Sequence, residues 1–271
     1  MHYRSVLFVP GNRPDRFEKA MGAGADLVCI DLEDAVGLND KDAAREDVLK
    51  FLKNNQNLNV SLRINGVLTD EGRADIAALK ASDLKLPFVM IPKIASRSEV
   101  NDLDDDLPND LGALFPIIES AEGLLNAGPI MSNGRVTLAL FGAVDYAADL
   151  DCTLGWDSLL MARSTLANAA AAYDVQLFDV PYINVKDLEG CEVTTRKAKD
   201  LGIHARAAIH PAQIAPIHAA LTPNLDEITQ AEAVIAAYQK ADGNVALLDG
   251  KLIEAPLVKK AERILAIGKR I

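Results

Sequence analysis

Two periodicities take turns along the chain. Short runs rich in β-branched and aromatic residues occur at 5–10 (SVLFVP), 26–32 (DLVCIDL), 60–65 (VSLRIN), 88–94 (FVMIPKI), 113–119 (ALFPIIE), 137–145 (TLALFGAVD), 175–181 (VQLFDVP) and 206–211 (RAAIHP), and they read as strands. Between them lie amphipathic stretches such as PDRFEKAMGAG, KDAAREDVLKFLKN, TDEGRADIAALKAS, DSLLMARSTLANAAAAYD and TRKAKDLG, most of which stop near Gly, Asn or Asp as helices do. Strands alternating with helices predict parallel pairing, and eight such units predict an α/β fold of the (β/α)8 TIM-barrel type. The barrel is expected over 1–222. The remaining segment, 223–271, reads as a helix from about Leu225 to Ala241, a hairpin NVALLDGKLIEAP with an Asp-Gly turn, and a closing helix. A barrel does not need this helix-hairpin-helix extension. Without a linker before it, it belongs to the same domain, placed to act as a lid or to reach a neighbouring subunit.

Composition narrows the function. With 49% hydrophobic and 25% charged residues in 271, the chain has ample apolar side chain for one large core. A net charge of -11 repels phosphate backbones, and no basic stripe offsets it, so nucleic acid is not an expected partner. No apolar run approaches the ~20 residues that span a bilayer, and the first run is too short for a signal peptide core, which together predict a cytoplasmic protein off the membrane. Cys29, Cys152 and Cys191 form no C-x-x-C pair, and no phosphate loop, dinucleotide loop or H-E-x-x-H motif is present.

In a (β/α)8 barrel the chemistry is built at the C-terminal ends of the strands. Those ends carry Arg13, the cluster Asp31, Glu33 and Asp34, then Arg63, Lys93, Glu119, Asp145, Asp179 and His210. Asp31 and Lys93 fit a structural ion pair as well as a functional role, and His210 reads as a hydrogen bonder that fixes its loop. Arg13 fits an ordinary Pro-Gly turn or an anion clamp before a helix. The acidic run 101–111 reads as a solvated loop. Glu119 and Asp145 end adjacent strands, and two carboxylates side by side need a shared proton or a cation. With no thiolate or imidazole nearby in the sequence, an all-oxygen site points to Mg²⁺, with Mn²⁺ as the alternative.

The segments LFVPGNRPDRFEKA, IDLEDAV, SLRING, IPKI, PIIESAEGL, FGAVDYAADL, IHPAQI and DGKLIEAP together resemble the HpcH/HpaI aldolase and citrate lyase superfamily, in particular its citrate lyase beta subunit and malyl-CoA and citramalyl-CoA lyase branch. The resemblance implies a trimeric or hexameric barrel that binds Mg²⁺ through Glu119 and Asp145, with Glu33 and Asp34 holding metal-bound waters. It implies that Arg63 faces the reacting carbonyl groups, that Phe8, Arg13 and Lys19 contact coenzyme A, and that the position of Glu254 supplies an acid/base carboxylate from the lid. Relatives carry Asp there, and often Gly-Lys in place of Ala205-Arg206, so acyl specificity and the coenzyme A contacts are open. The expected activity is cleavage or formation of a 3-hydroxy-carboxyacyl-CoA thioester to an oxoacid and acetyl-CoA. Alternatives are a thioesterase, a citrate lyase subunit acting on a thioester of an acyl carrier protein, a Schiff-base aldolase using Lys93, and a non-catalytic acyl-CoA-binding barrel.

Overall fold

The computed structural model describes residues 2–56, 59–241 and 245–268. Eight strands, β1 (Ser5–Pro10), β2 (Leu27–Asp31), β3 (Val60–Arg63), β4 (Phe88–Ile91), β5 (Ala113–Ile118), β6 (Leu138–Phe141), β7 (Gln176–Asp179) and β8 (Ala205–Ala208), close in sequence order into a parallel barrel. The expected (β/α)8 fold is therefore present. β1 meets β8 through Ser5 opposite Arg206, which seals the ring and leaves no edge strand.

Side chains that alternate inward fill the barrel. Cys29, Met90, Phe115, Ile117, Leu140, Phe178, Ala205 and Ala207 form one buried cluster. Its centre is aromatic: the rings of Phe88 and Phe115 lie 5.4 Å apart and those of Phe115 and Phe178 5.1 Å apart, in tilted and edge-on arrangements that such pairs favour. Small residues on β8 face these large ones on β4, β5 and β7, so the interior is plugged and the open space lies above it.

Two expectations need correction. The run 137–145 is not one strand: β6 ends at Phe141, Gly142 turns the chain, and Ala143–Asp149 is a helix with Asp145 in its first turn. The Ala-rich composition of AVDYAAD favours helix once the glycine has broken the extended run. The acidic run is not a loop either. Arg97–Asp106 is a helix started by a Ser96/Glu99 capping box, and it buries Val100 and Leu103, three residues apart, while its other residues lie at the surface or partly covered.

The chain forms two compact units, one covering Tyr3–Ala220 and one beginning at Leu221. In the second, the helix Leu225–Lys240 opens with an Asn224/Glu227 capping box. Strands β9 (Ala246–Leu248) and β10 (Lys251–Ile253) then pair antiparallel, and the helix Ala255–Gly268 comes after them. Asp249 and Gly250 between the strands have φ of 51° and 75°, the two left-handed positions that an Asp-Gly hairpin turn requires. Ala231, Val234, Ile253 and Ala261 form this unit's own small core. Among the described residues no helix is long and apolar enough to cross a membrane.

Candidate active site at the barrel rim

β2 ends in Asp31 and β3 in Arg63, paired side by side in the sheet. Arg63 donates to both Asp31 oxygens, from Nε at 2.6 Å and Nη2 at 2.5 Å, a fork that fixes the plane of the guanidinium. Asp31 also accepts from the backbone N–H groups of Glu33 and Ala35, so it organises the loop that follows its own strand. The structural role considered for Asp31 is the one it fills. Arg63 Nη1 reaches Glu33 at 2.8 Å and Asp34 at 3.4 Å, and the guanidinium lies 5.1 Å over the ring of Phe8. Burial works against its charge, but Asp31 first, then Glu33 and Asp34, more than offset this and hold Arg63 protonated.

Glu33 is buried, which pushes its pKa up, while Arg63 and Lys93 pull the other way. Lys93 Nζ sits 2.8 Å from Glu33 Oε1, and this contact raises the lysine's pKa. On β5's side, Glu119 follows Ile118 directly. Its Oε1 accepts the backbone N–H of Lys93 at 2.6 Å. Burial, then the charge of Glu33 and the neighbouring Asp145, push Glu119 up to about 8, although the Lys93 N–H acts in the opposite sense.

Gly142 makes room for this carboxylate. A Cβ there would lie 2.5 Å from Glu119 Cβ and 2.7 Å from its Oε2, so only a glycine lets the β6 end pass so close. Above these groups opens a cavity of about 420 Å³ whose walls include Phe8, Asp34, Arg63, Glu119, Asp145 and the apolar Val180–Pro181 pair. The expected residues Phe8, Asp34, Arg63, Glu119 and Asp145 thus share one cavity, and Glu33 stands beside it in contact with Arg63.

Other expected residues stand elsewhere. Arg13 pairs with Asp15 at 2.7 Å and Lys19 is exposed on the short helix Phe17–Met21, and neither lines this cavity. Glu254 belongs to the second unit, at the junction of β10 and the closing helix, where its backbone carbonyl accepts from Leu257 and Val258. Asp179 is fully buried against Arg163 at 2.8 Å. Arg206 bonds to Val180 O, Thr194 and Thr195 in the strand–helix layer. His210 caps its own turn by accepting from Ala212 N–H, as expected.

Sequence reasoning missed a second row of support. Lys41 Nζ donates to the carbonyls of Leu32 and Glu33 at 2.7 and 2.6 Å and to Asn65 Oδ1 at 2.6 Å. Asn65 is held by buried Asp75, which in turn takes Arg45. The polar network ties the loop after β2 to the loop after β3 from behind. Its only sequence trace is Asn65 directly after SLRI, which is too little to read.

The donor set fits a hard divalent cation. Five carboxylates, Asp31, Glu33, Asp34, Glu119 and Asp145, face two cations, Arg63 and Lys93, and among the described residues no ion pair joins either Glu119 or Asp145 to a positive side chain. Among the described residues no three His, Cys, Asp or Glu side chains form a ready cage. Mg²⁺ commonly takes one or two carboxylates and keeps its remaining positions for water and substrate oxygens, and the neighbouring Glu119 and Asp145 are such a pair.

The profile of the HpcH/HpaI aldolase/citrate lyase family matches residues 4–211, which is most of the chain and all eight strands. The chain belongs to that family. Membership places it among carbon–carbon lyases. Similar family members include a (3S)-malyl-CoA thioesterase from Cereibacter sphaeroides, 32% identical over 99% of this chain and 95% of that protein. A citrate lyase subunit beta from Leuconostoc mesenteroides subsp. cremoris is 31% identical over 98% of this chain and 93% of that protein. The protein CitE from Mycobacterium tuberculosis, solved in complex with magnesium, acetoacetate and coenzyme A, superposes with a TM-score of 0.84 at 27% identity, covering 98% of each chain.

Proposed function

We propose that this HpcH/HpaI family member is a Mg²⁺-dependent lyase that cleaves or forms a 3-hydroxy-carboxyacyl-CoA thioester of the malyl or citramalyl type. The observation that carries the reading is Glu119, raised to about 8 beside Asp145, across one cavity from an Arg63 fixed by Asp31. Glu119 and Asp145 would hold the ion, with Mn²⁺ as a substitute, and Glu33 and Asp34 would accept from its waters. A bound ion supplies Lewis acidity to the substrate's hydroxyl and carboxylate oxygens.

The protein's own groups do the rest. Arg63 keeps its charge and presents a fixed fork, so its donors stabilise negative charge as the C–C bond breaks and the thioester carbon becomes an enolate. The electron pair of the broken bond goes to the acetyl-CoA fragment, and the substrate's hydroxyl loses its proton as the oxoacid forms. Glu254, from a lid formed by 223–271, would give the acetyl carbon its proton. Phe8 would back the acyl end, while Arg13 and Lys19, outside the cavity, would contact the coenzyme A portion. A trimer or hexamer in which the lid serves a neighbouring subunit, and a cytoplasmic setting, go with this reading, as do free thiols at Cys29, Cys152 and Cys191.

Lys93 is not a Schiff-base nucleophile in this reading, because Glu33 holds it protonated. Thioester hydrolysis is the second reading, supported by the Cereibacter relative. Incubation with Mg²⁺ and malyl-, citramalyl- and citryl-CoA, following oxoacid and free thiol separately, distinguishes them. Oxoacid release that needs Mg²⁺ and is lost in Glu254→Ala supports the lyase. Free thiol without oxoacid moves the chain to the thioesterases, and turnover only on a thioester carried by an acyl carrier protein moves it to the citrate lyase subunits.

A further inference from the structure

Lys93 has φ of 58°, in the left-handed region. The other non-glycine residues there, among those described, are Asp151, Asp174 and Asp249. Aspartate tolerates that region because its short carboxylate can bond locally; a long unbranched side chain has no such help. A lysine persists there only when its surroundings over-determine it, and such positions concentrate at functional sites.

The conformation does two things at once. It turns the main-chain N–H onto Glu119 Oε1 at 2.6 Å, and it sends the ammonium to Glu33 Oε1 at 2.8 Å. Glu33 rides on the loop after β2 and Glu119 directly after β5, so one residue ties together two carboxylates from strands that are not neighbours in the barrel. With Oε1 engaged, Glu119 Oε2 lies over Gly142.

We propose that Lys93 is a positioning residue whose left-handed backbone aims the Glu119 carboxylate for cation binding, while its ammonium separately fixes Glu33. The proposal rests on the metal reading of Glu119 and Asp145 given above. Its two halves come apart by substitution. Lys93→Met removes the ammonium and keeps an unbranched side chain; Lys93→Val also removes it but is β-branched and resists positive φ. Lys93→Gly adopts the conformation freely.

The readouts are Mn²⁺ affinity, by calorimetry or electron paramagnetic resonance, together with melting temperature and turnover. Met and Gly variants bind Mn²⁺ at least as tightly as the unaltered chain, because losing a nearby positive charge does not weaken cation binding. The Val variant binds about tenfold more weakly than Met, the effect of one misdirected hydrogen bond to a charged group. Turnover falls about tenfold in Met and Gly alike, and Lys93→Arg restores most of it, since a cation is again available to Glu33. Lys93→Gly melts about 2–4 °C higher, as relief of one strained residue in a domain of this size should show.

Equal Mn²⁺ affinity in Val and Met overturns the backbone role, and full turnover in Met overturns the ammonium role. If the Val variant does not fold, a Gly variant with no rise in melting temperature overturns the strain on which the backbone role depends, and a rise with affinity retained supports it. An unaltered, folded chain that binds no Mn²⁺ sinks the metal reading and this proposal together, and is told apart because the failure lies in the parent rather than in a variant.

Discussion

The barrel carries two charged clusters that a sequence cannot tell apart, and they resolve in opposite ways. At the rim, five carboxylates meet two cations beside an open cavity. In the strand–helix layer behind β7 and β8, two cations, Arg163 and Arg206, meet one carboxylate, Asp179, with all three buried. Arg163 is further enclosed by aromatic faces, 4.7 Å from Trp156 and 5.7 Å from Phe141, and the donors of Arg206 go mostly to backbone carbonyls and threonine hydroxyls. The charges of the second cluster are mostly absorbed by fixed neighbours, although Arg163 Nη1 and Asp179 Oδ2 lack a hydrogen-bond partner among the described residues. Those of the first are not, and Glu119 registers the imbalance by holding its proton up to about pH 8. The two also differ in sign: an acidic surplus beside the 420 Å³ cavity invites a cation, whereas the basic surplus, whose arginines are almost wholly buried at the edge of a smaller cavity of about 270 Å³, acts mainly on stability.

Glu119→Gln breaks the contrast from the functional side. It should abolish tight Mg²⁺ binding and lower turnover by about 100- to 1,000-fold, the scale of losing a main electrostatic group at a reacting centre, with little change in melting temperature. Calorimetric titration with Mg²⁺ alongside thermal denaturation checks both halves. Asp179→Asn probes the other cluster. Two buried guanidinium groups lose their shared counter-charge, so stability should fall by about 3–5 kcal/mol while the folded fraction keeps its KM for the thioester. A large change in KM with unchanged stability would bring Asp179 into the site after all.

The smallest effect sharpens the comparison rather than breaking it. Glu119 is raised from 4.5 to about 8 in the fold, so its protonated form stabilises the metal-free protein fully below about pH 4.5, and that contribution is lost as pH rises through 8. A cation must displace that proton. Apparent Mg²⁺ affinity should therefore climb by about tenfold per pH unit toward pH 8 and level off beyond it. The slope should vanish in Glu119→Gln, and a flat profile in the unaltered chain would place the proton elsewhere.

How much of the molecule was legible in the sequence depends on the range of the forces involved. The eight strands, the barrel and the Asp-Gly hairpin are set by periodicity and by single-residue turn chemistry, both local, and each is present. That Arg63 and Glu119 face the rim cavity followed from their position at strand ends alone. Asp145 was expected at a strand end too, but Gly142 moves it into the first turn of a helix. Asp179 looks identical to the rim carboxylates in a linear reading, and its partner Arg163 becomes visible only when a helix is laid against the strand. Lys93 was read by its side chain, and the part that touches Glu119 is its backbone, which no residue type announces.

Gly142 also bears on how this barrel could be redesigned. The space for Glu119 exists because one methyl group is missing just after the next strand, so the carboxylate's seat depends on a position that itself offers no chemistry. A library that randomises residue 142 would mostly dismantle the cluster, whereas Val144, Val180, Pro181 and Ile209 form apolar wall of the same cavity. Changes of substrate size belong on that wall, where volume can be traded without disturbing the charges that would do the chemistry.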